Sequence, residues 1–460
     1  MKNTRREFVK TVSIGTIGTL GLGMAACRTD QAGKAGEKPV WPSDKVNLAF
    51  VGVLGKGRDN LNRLTKLGIN VVALCDVDWN EDVGMVFDEF PNATRYKDFR
   101  VMLEQQKDID GVVISTPDHT HGVIAMMAIA MGKHVFCEKP LAHSIKEVRM
   151  VTEAARKQGV MTQMGNQGHS FDTIRTMVEV VDEGIVGDVT EVVAWCDRPA
   201  GGGNVSFPHG MDRPSGKFKV PKTMDWDLWL GPAQYRPYHP LYAPKRWRGF
   251  IDFGCGALGD FGCHTLDPSF WALDLGSPDS IVASTTNQLE GVQYDTFPTS
   301  SIIEYKFPER GSKPPVKLTW YDGGILPVQD DRFAGIEFGK NGALLIGEKG
   351  MIKHGSHGAK PFQVLLNDTS SEFVAPPETI KRIEGPEGHH ADWLHAIKTG
   401  EPSSANFNYG GPLSETVLLG VVASLFRNQR VLWDAEKMKV ANIEEANALI
   451  YPEFRTGWEI

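Results

Sequence analysis

The sequence predicts an α/β protein, with a doubly wound parallel sheet first and a second α/β domain on a mixed sheet after it. Three observations lead there. Short apolar runs alternate with helix-like stretches from residue 45 onward, the first run enters a glycine-rich turn, and a fresh apolar strand starts at 189 once the alternation has ended.

In order, strands are expected over 46–53, 71–76, 112–116, 134–137 and 160–164, with helices over 58–67, 121–131, 145–158 and 171–181. Parallel strands joined by helices bury both faces of their sheet, which suits such uniformly apolar runs. The second sheet begins at 189–195 and takes further strands at 301–307, 316–320, 343–346 and 350–352; helices return at 387–398 and 413–426. Residues 198–250 are rich in proline and aromatics and open with Gly201-Gly202-Gly203. So long a stretch without periodicity reads as a functional loop or an arm against another subunit.

Composition narrows the class. A chain of 460 residues that is 41% hydrophobic and 23% charged is neither disordered, collagenous nor coiled coil. Its formal charge of −8 argues against a nucleic-acid partner. Six cysteines in such a length are no disulfide scaffold, and Cys75, Cys137 and Cys196 sit in apolar strand contexts.

The first residues read as an address. Arg5-Arg6 precedes an uncharged run from Thr11 to Ala26 that carries Gly15, Gly18, Gly21 and Gly23, and the run ends at Cys27. Four glycines weaken a helix, and the run is short for a membrane span. The pattern resembles a twin-arginine export signal, with Met24-Ala25-Ala26-Cys27 resembling a lipoprotein cleavage box that makes Cys27 the lipid anchor. The expected division is therefore signal 1–27, flexible tether 28–44, nucleotide domain 45–166, substrate and oligomerisation domain 167–435, and a tail 436–460 packed on the body. The expected location is the periplasm, with membrane contact only through the signal or lipid.

The glycine turn carries the first chemistry. Gly52, Gly55 and Gly57 fit G-x-x-G-x-G, whereas G-x-G-x-x-G would place Leu54 at its second glycine. Glycines let a backbone approach a pyrophosphate, and the helix that follows, entered at Lys56, offers free N–H groups. Asp76 ends the next strand at the distance where a carboxylate accepts both ribose hydroxyls. Repelling a 2′-phosphate there favours NAD over NADP. A plain tight turn and a helix cap are the alternatives, and the order strand, turn, helix, strand, acid argues against them.

Two more strand ends bear polar clusters, Ser115-Thr116-Pro117-Asp118-His119-Thr120-His121 and Cys137-Glu138-Lys139-Pro140. Both lie beyond strand carboxyl ends, where open α/β sheets bind ligands. Thr116, Pro117, His121, Glu138 and Lys139 are therefore assigned to the cofactor. Further on come Gly165-Asn166-Gln167-Gly168-His169 and Asp260-Phe261-Gly262-Cys263-His264-Thr265-Leu266-Asp267. A glycine turn, TP-x-x-x-H, EKP, GNQGH and D-x-x-x-H-x-x-D in that order resemble the Gfo/Idh/MocA oxidoreductases over roughly 45–460.

That resemblance implies a Rossmann-type NAD domain followed by an open-faced mixed sheet that frequently mediates homodimers or homotetramers. It implies catalytic roles for Lys139, Asp260 and His264. The chemistry agrees, since oxidising a secondary alcohol needs a base for the hydroxyl proton while hydride leaves carbon, and histidine is suited to that. Asp260 is expected to orient His264, and the Lys139 ammonium to be disfavoured away from water. Which of His264 and Lys139 takes the proton stays open. Pro268 is helical only within a first turn, which places Asp260 and His264 at the entry to its helix. Asn166, Gln167 and His169 are expected to face the same crevice, with Asn166 and His169 contacting substrate rather than Asn166 or Ser170 capping a helix, and Trp247 is expected to stack on a sugar. Cys255, Cys263, Asp260 and His264, or His119 with His121, or His389 with His390, lack a zinc spacing, so no metal is expected.

The expected activity is oxidation of a secondary hydroxyl of a sugar, glycoside or polyol by tightly held NAD. NAD does not circulate outside the inner membrane, and the twin-arginine route exports folded proteins, so the cofactor would be loaded first. The alternatives are a redox-neutral NAD-dependent glycosidase, which oxidises, eliminates, hydrates and re-reduces, and a non-catalytic sugar-binding lipoprotein.

Overall fold

A computed structural model describes residues 45–199, 207–286, 295–328, 330–385 and 387–459. The expected signal and tether, with Cys27 and Gly201-Gly202-Gly203, lie outside the described residues.

Six parallel strands form the first sheet: β1 Asn47–Val51, β2 Asn70–Cys75, β3 Thr94–Tyr96, β4 Gly111–Ile114, β5 His134–Cys137 and β6 Thr162–Met164. Their spatial order is β3-β2-β1-β4-β5-β6, so the winding reverses between β1 and β4 and opens a crevice at their carboxyl ends. Leu48, Phe50 and Leu74 bury on one face and Ala49, Val112 and Ile114 on the other. This double burial accounts for runs with no polar alternation.

The second sheet is mixed and nine-stranded: β7 Val189–Cys196, β8 Ser280–Thr285, β9 Ser301–Phe307, β10 Val316–Tyr321, β11 Asn341–Gly347, β12 Gly350–Gly355, β13 Phe362–Leu366, β14 Arg430–Asp434 and β15 Lys439–Val440. Only β7 and β10 pair in parallel. The helix Phe407–Leu425 covers β8 and β9, with Tyr305 buried beneath it. On the opposite face Glu191 pairs with Lys317 and Arg332, and Phe333 and Phe338 cap Trp195. No helix among the described residues is long and apolar enough to cross a membrane.

Several elements differ from expectation. The helices Glu81–Glu89 and Phe99–Gln105, with β3 between them, fill a stretch the alternation did not resolve. The helix Gly388–Thr399 belongs to the nucleotide domain, because Trp393, Leu394 and Ile397 join the cluster under Leu48 and Phe50. Asp260 and His264 ride the helix Gly256–Thr265, while Pro268 opens a separate helix, Asp267–Leu273. A proline in a first turn costs nothing there, so the rule held but pointed to the next helix.

Candidate active site

A cleft of about 1160 Å³ runs along the strand ends of the first sheet and under the second domain. Gly52, Leu54, Gly55, Lys56, Asp76, Thr116, Pro117, His121, Glu138, Lys139, Trp247, Asp260 and His264 all line it.

The glycines divide their work. A Cβ on Gly57 would sit 1.9 Å from the Gly52 carbonyl oxygen, and one on Gly52 would sit 2.6 Å from the Ser115 carbonyl oxygen. Both are demanded by the crossing of turn, helix and β4. Gly55 instead has open space around it but adopts φ 56°, ψ −116°, and caps the helix Lys56–Lys66 without a side-chain acceptor. The cradle thus brings bare backbone and an uncapped helix N-terminus to the cleft, which fits a dinucleotide pyrophosphate.

Asp76 follows β2 with its carboxylate fixed by backbone, Oδ2 accepting from Val53 N at 3.1 Å and Oδ1 from Asp78 N at 3.1 Å. Burial pushes it up to about 6, against those two N–H donors. A strap from the second domain runs beside it. Trp79 N and Lys97 Nζ donate to the Thr223 carbonyl, and Asp225 N to that of Val77.

At the β4 and β5 ends, two expected cofactor ligands turn out to brace the walls. His121 has Nδ1 on the Pro140 carbonyl at 2.9 Å and Nε2 on that of Thr116 at 3.0 Å. Glu138 accepts from Asn60 Nδ2 at 2.8 Å and Gln167 Nε2 at 3.1 Å. Both nitrogens of His121 are thereby engaged, whereas on Glu138 both bonds fall on Oε1.

Lys139 Nζ donates to Asp260 Oδ1 and to the Asp260 carbonyl, each at 2.6 Å. Burial opposes the Lys139 charge, yet the Asp260 carboxylate outweighs it and holds the ammonium above its ordinary range. Burial likewise opposes the Asp260 charge, and Lys139 and Arg248 overcome it, holding the carboxyl below its usual range. The disfavoured ammonium expected for Lys139 is therefore corrected. So is the orienting bond to His264, since Asp260 is spent on Lys139 and, at 3.5 Å, Arg248.

His264 is nearly buried, its Nδ1 has no partner, and its ring stacks at 3.9 Å on His357. Burial first, then the neighbouring His357 and Lys139, hold it well below the ordinary histidine range. It is a neutral imidazole facing a cleft.

Asn166 and His169 do not line the cleft. Asn166 Nδ2 donates to Asp267 Oδ2 at 3.0 Å, and His169 Nδ1 meets Asp267 Oδ1 at 2.9 Å between Trp271 and Tyr409. The buried Asp267 carboxylate draws them inward, and Gln167 between them is the residue that reaches the cleft. Trp247 lies at the cleft but is only 6% exposed, with the Arg248 guanidinium 4.3 Å over its ring. Polar contact there falls to Arg248. Sequence reasoning missed Asp118, whose Oδ2 accepts from Cys255 N and which burial pushes up to about 6. It missed His357 too, although Gly355-Ser356-His357-Gly358 at a strand end was a legible signal. Among the described residues no group of three or more His, Cys, Asp or Glu is placed to hold a metal ion.

A glycine cradle, an acid at the end of the second strand and a lysine–aspartate pair beside a histidine fit an oxidoreductase built on a dinucleotide domain. The chain belongs to the Gfo/Idh/MocA oxidoreductase family: residues 46–166 match its NAD-binding Rossmann fold and 172–311 its C-terminal α/β domain. It is 30% identical over 146 residues to an inositol 2-dehydrogenase/D-chiro-inositol 3-dehydrogenase of Lactiplantibacillus plantarum, covering 31% of this chain and 41% of that protein. It is 29% identical over 206 residues to a glycosyl hydrolase family 109 protein of Shewanella pealeana, covering 41% and 45%. The chain thus spans less than half the length of these curated relatives. The WlbA dehydrogenase of Bordetella pertussis, solved with NADH and UDP-GlcNAcA, shares the fold at TM-score 0.59 and 15% identity, over 85% of this chain and 99% of that one.

Proposed function

We propose that the cleft oxidises a secondary hydroxyl of a sugar, glycoside or polyol, with NAD held tightly as the hydride acceptor. The observation that carries this reading is the pairing of a charged Lys139 with Asp260 next to a His264 whose Nδ1 has no partner, all in one cleft with Gly55 and Asp76. The relative named as an inositol dehydrogenase supports the substrate class.

The residues divide the work by charge. His264, neutral and free, takes the hydroxyl proton as the carbon gives up hydride and the carbonyl forms. Lys139, fixed by Asp260, donates to the same oxygen as negative charge builds on it. Asp76 and the Gly52–Gly57 turn hold the ribose and pyrophosphate of NAD, and the strap at Thr223–Asp225 slows its release. Retention suits a protein exported folded through the Arg5-Arg6 signal, anchored at Cys27 and assembled as a homo-oligomer. Replacing both arginines by lysine and fractionating cells tests the export part.

A second reading, redox-neutral cleavage of a glycosidic bond, is favoured by the match to the glycosyl hydrolase family 109 protein. There the hydride removed from the sugar is returned after elimination and hydration. The test is to purify the folded protein, assay for retained nicotinamide and follow its near-ultraviolet absorbance while glycosides and polyols are added. A keto-sugar product supports oxidation, cleaved sugar without a keto product supports the second reading, and unchanged ligands refute both.

A further inference from the structure

We propose that His357 is a positioning residue for His264, its ring fixing the plane in which His264 meets the substrate hydroxyl. The role in turnover rests on the oxidoreductase reading, but the arrangement stands on geometry alone. The two rings are 3.9 Å apart and 21° from parallel, and His264 has no hydrogen bond to hold its Nδ1. A histidine that acts as a base is normally oriented by a partner on its second nitrogen. Here Asp260 is engaged elsewhere, so a stacked ring supplies the orientation instead.

His357 is itself held at a backbone cost. It lies on the β12–β13 connection with φ 52° and ψ 77°, followed by Gly358 and Ala359 also at positive φ. A side chain rarely adopts that region unless its surroundings impose it, and such residues cluster at functional sites. The imposing contacts are visible. Gly358 packs so closely on Gly168 that a Cβ on it would lie 2.4 Å from the Gly168 oxygen, Thr173 Oγ1 donates to the Gly358 carbonyl, and Thr265 Oγ1 meets Ser356 Oγ at 2.9 Å. The last contact ties the turn to the residue after His264.

His357 is exposed to the cleft while His264 is 7% exposed, so the outer ring shields the inner one from water. The charged and titratable groups facing the pair are Lys139, Lys56 and Asp260 around His357, with Lys139, Lys56 and His389 around His264. Most of these are cationic or become so, and a second positive charge on the stack would be repelled. The pair thus keeps His264 neutral and ready to accept a proton.

The experiment compares His357→Phe, which keeps a ring, with His357→Asn, which tolerates left-handed backbone but cannot stack. Histidine Cε1 resonances of the whole protein are followed against pH, with His264 assigned by His264→Gln. The expected result is that His264 titrates at higher pH in both variants and highest in His357→Asn. Turnover should fall about tenfold or more in His357→Asn, with KM little changed and most activity restored in His357→Phe. The same His264 titration in all three proteins would overturn the proposal, as would equal loss of turnover in both variants. Shifted titration in a protein that oxidises no sugar would refute the oxidoreductase reading and leave the positioning intact.

Discussion

Lys139 is bound twice by one residue: its ammonium lies 2.6 Å from the Asp260 carboxylate and 2.6 Å from the Asp260 carbonyl oxygen. The carboxylate neutralises the charge, while the carbonyl fixes its direction. Because Asp260 is held below its usual range, its pairing is present above the ordinary aspartate value and is lost only as pH falls through the lowered one. The pair is therefore intact throughout the neutral range and adds no limb to kcat/KM there. Lys139→Met is expected to lower kcat by about 10²–10⁴-fold with NAD still bound, and Asp260→Asn by less, since the carbonyl contact remains. Steady-state kinetics with bound nicotinamide measured in parallel checks both, and unchanged kcat in Lys139→Met would remove it from the chemistry.

Much of this site was legible because each part falls at a strand end. Gly52, Asp76, Thr116 and Lys139 follow β1, β2, β4 and β5, and a parallel sheet gathers such positions at one edge. Asp260 and His264 were legible only through the D-x-x-x-H-x-x-D motif of the family the chain resembles. What failed was orientation. Sequence placed Asn166 and His169 beside the crevice but could not show that Asp267, far along the chain, turns both inward. The stack of His264 on His357 depends on a left-handed turn packed on Gly168, a contact between segments that local pattern does not encode. The placement of Gly388–Thr399 was missed for the same reason, its apolar face fitting either domain.

Asp76 is expected to set the choice of dinucleotide. Its two oxygens are held by the N–H groups of Val53 and Asp78, which aims the remaining lone pairs into the cleft. Replacing it with asparagine removes a charged acceptor of ribose hydroxyls, worth about 1.5–3 kcal/mol, or roughly 10–100-fold in NAD affinity. The same change removes the repulsion of a 2′-phosphate, so NADP binding should weaken less or improve. Calorimetry with both nucleotides on protein stripped of cofactor measures the ratio. An NAD preference as strong in Asp76→Asn as in the parent would mean that another group reads the ribose.

Two glycines outside strained turns predict opposite outcomes. Gly57→Ala forces a methyl to within 1.9 Å of the Gly52 carbonyl, so the phosphate turn must open, and NAD binding should be largely lost along with stability. Gly84 lies inside the helix Glu81–Glu89 with nothing within 4 Å of its missing Cβ. Gly84→Ala should therefore raise stability by about 0.5–1 kcal/mol through helix propensity alone. Thermal melts together with nucleotide binding separate the two, and equal effects would mean that the Gly57 crossing is not as tight as described.

Glu147 makes a contribution to stability that is favoured by acid. Its carboxylate caps the helix Ile145–Gln158, with Oε2 accepting from Ser144 N and Oγ, while Oε1 is buried with no partner. Burial pushes the group up to about 7, against the Ser144 hydrogen bonds. The folded state therefore holds this proton more tightly than the unfolded chain. The sign follows: the contribution is fully present below the ordinary glutamate value and is lost as pH rises through about 7. Asp118, Asp76 and Asp322, each pushed up to about 6 by burial, act in the same direction. The buried histidines His119, held at about 3, and His134, His209, His354 and His389, each at about 4, act in the opposite direction, so the Glu147 contribution is read as the difference in denaturant stability between the cofactor-free parent and Glu147→Gln. Glu147→Gln keeps an oxygen for Ser144 and removes the titration, so its stability relative to the parent should rise between about pH 5 and about pH 8. A difference between the two proteins that does not change with pH would mean that Glu147 does not hold its proton more tightly in the folded state.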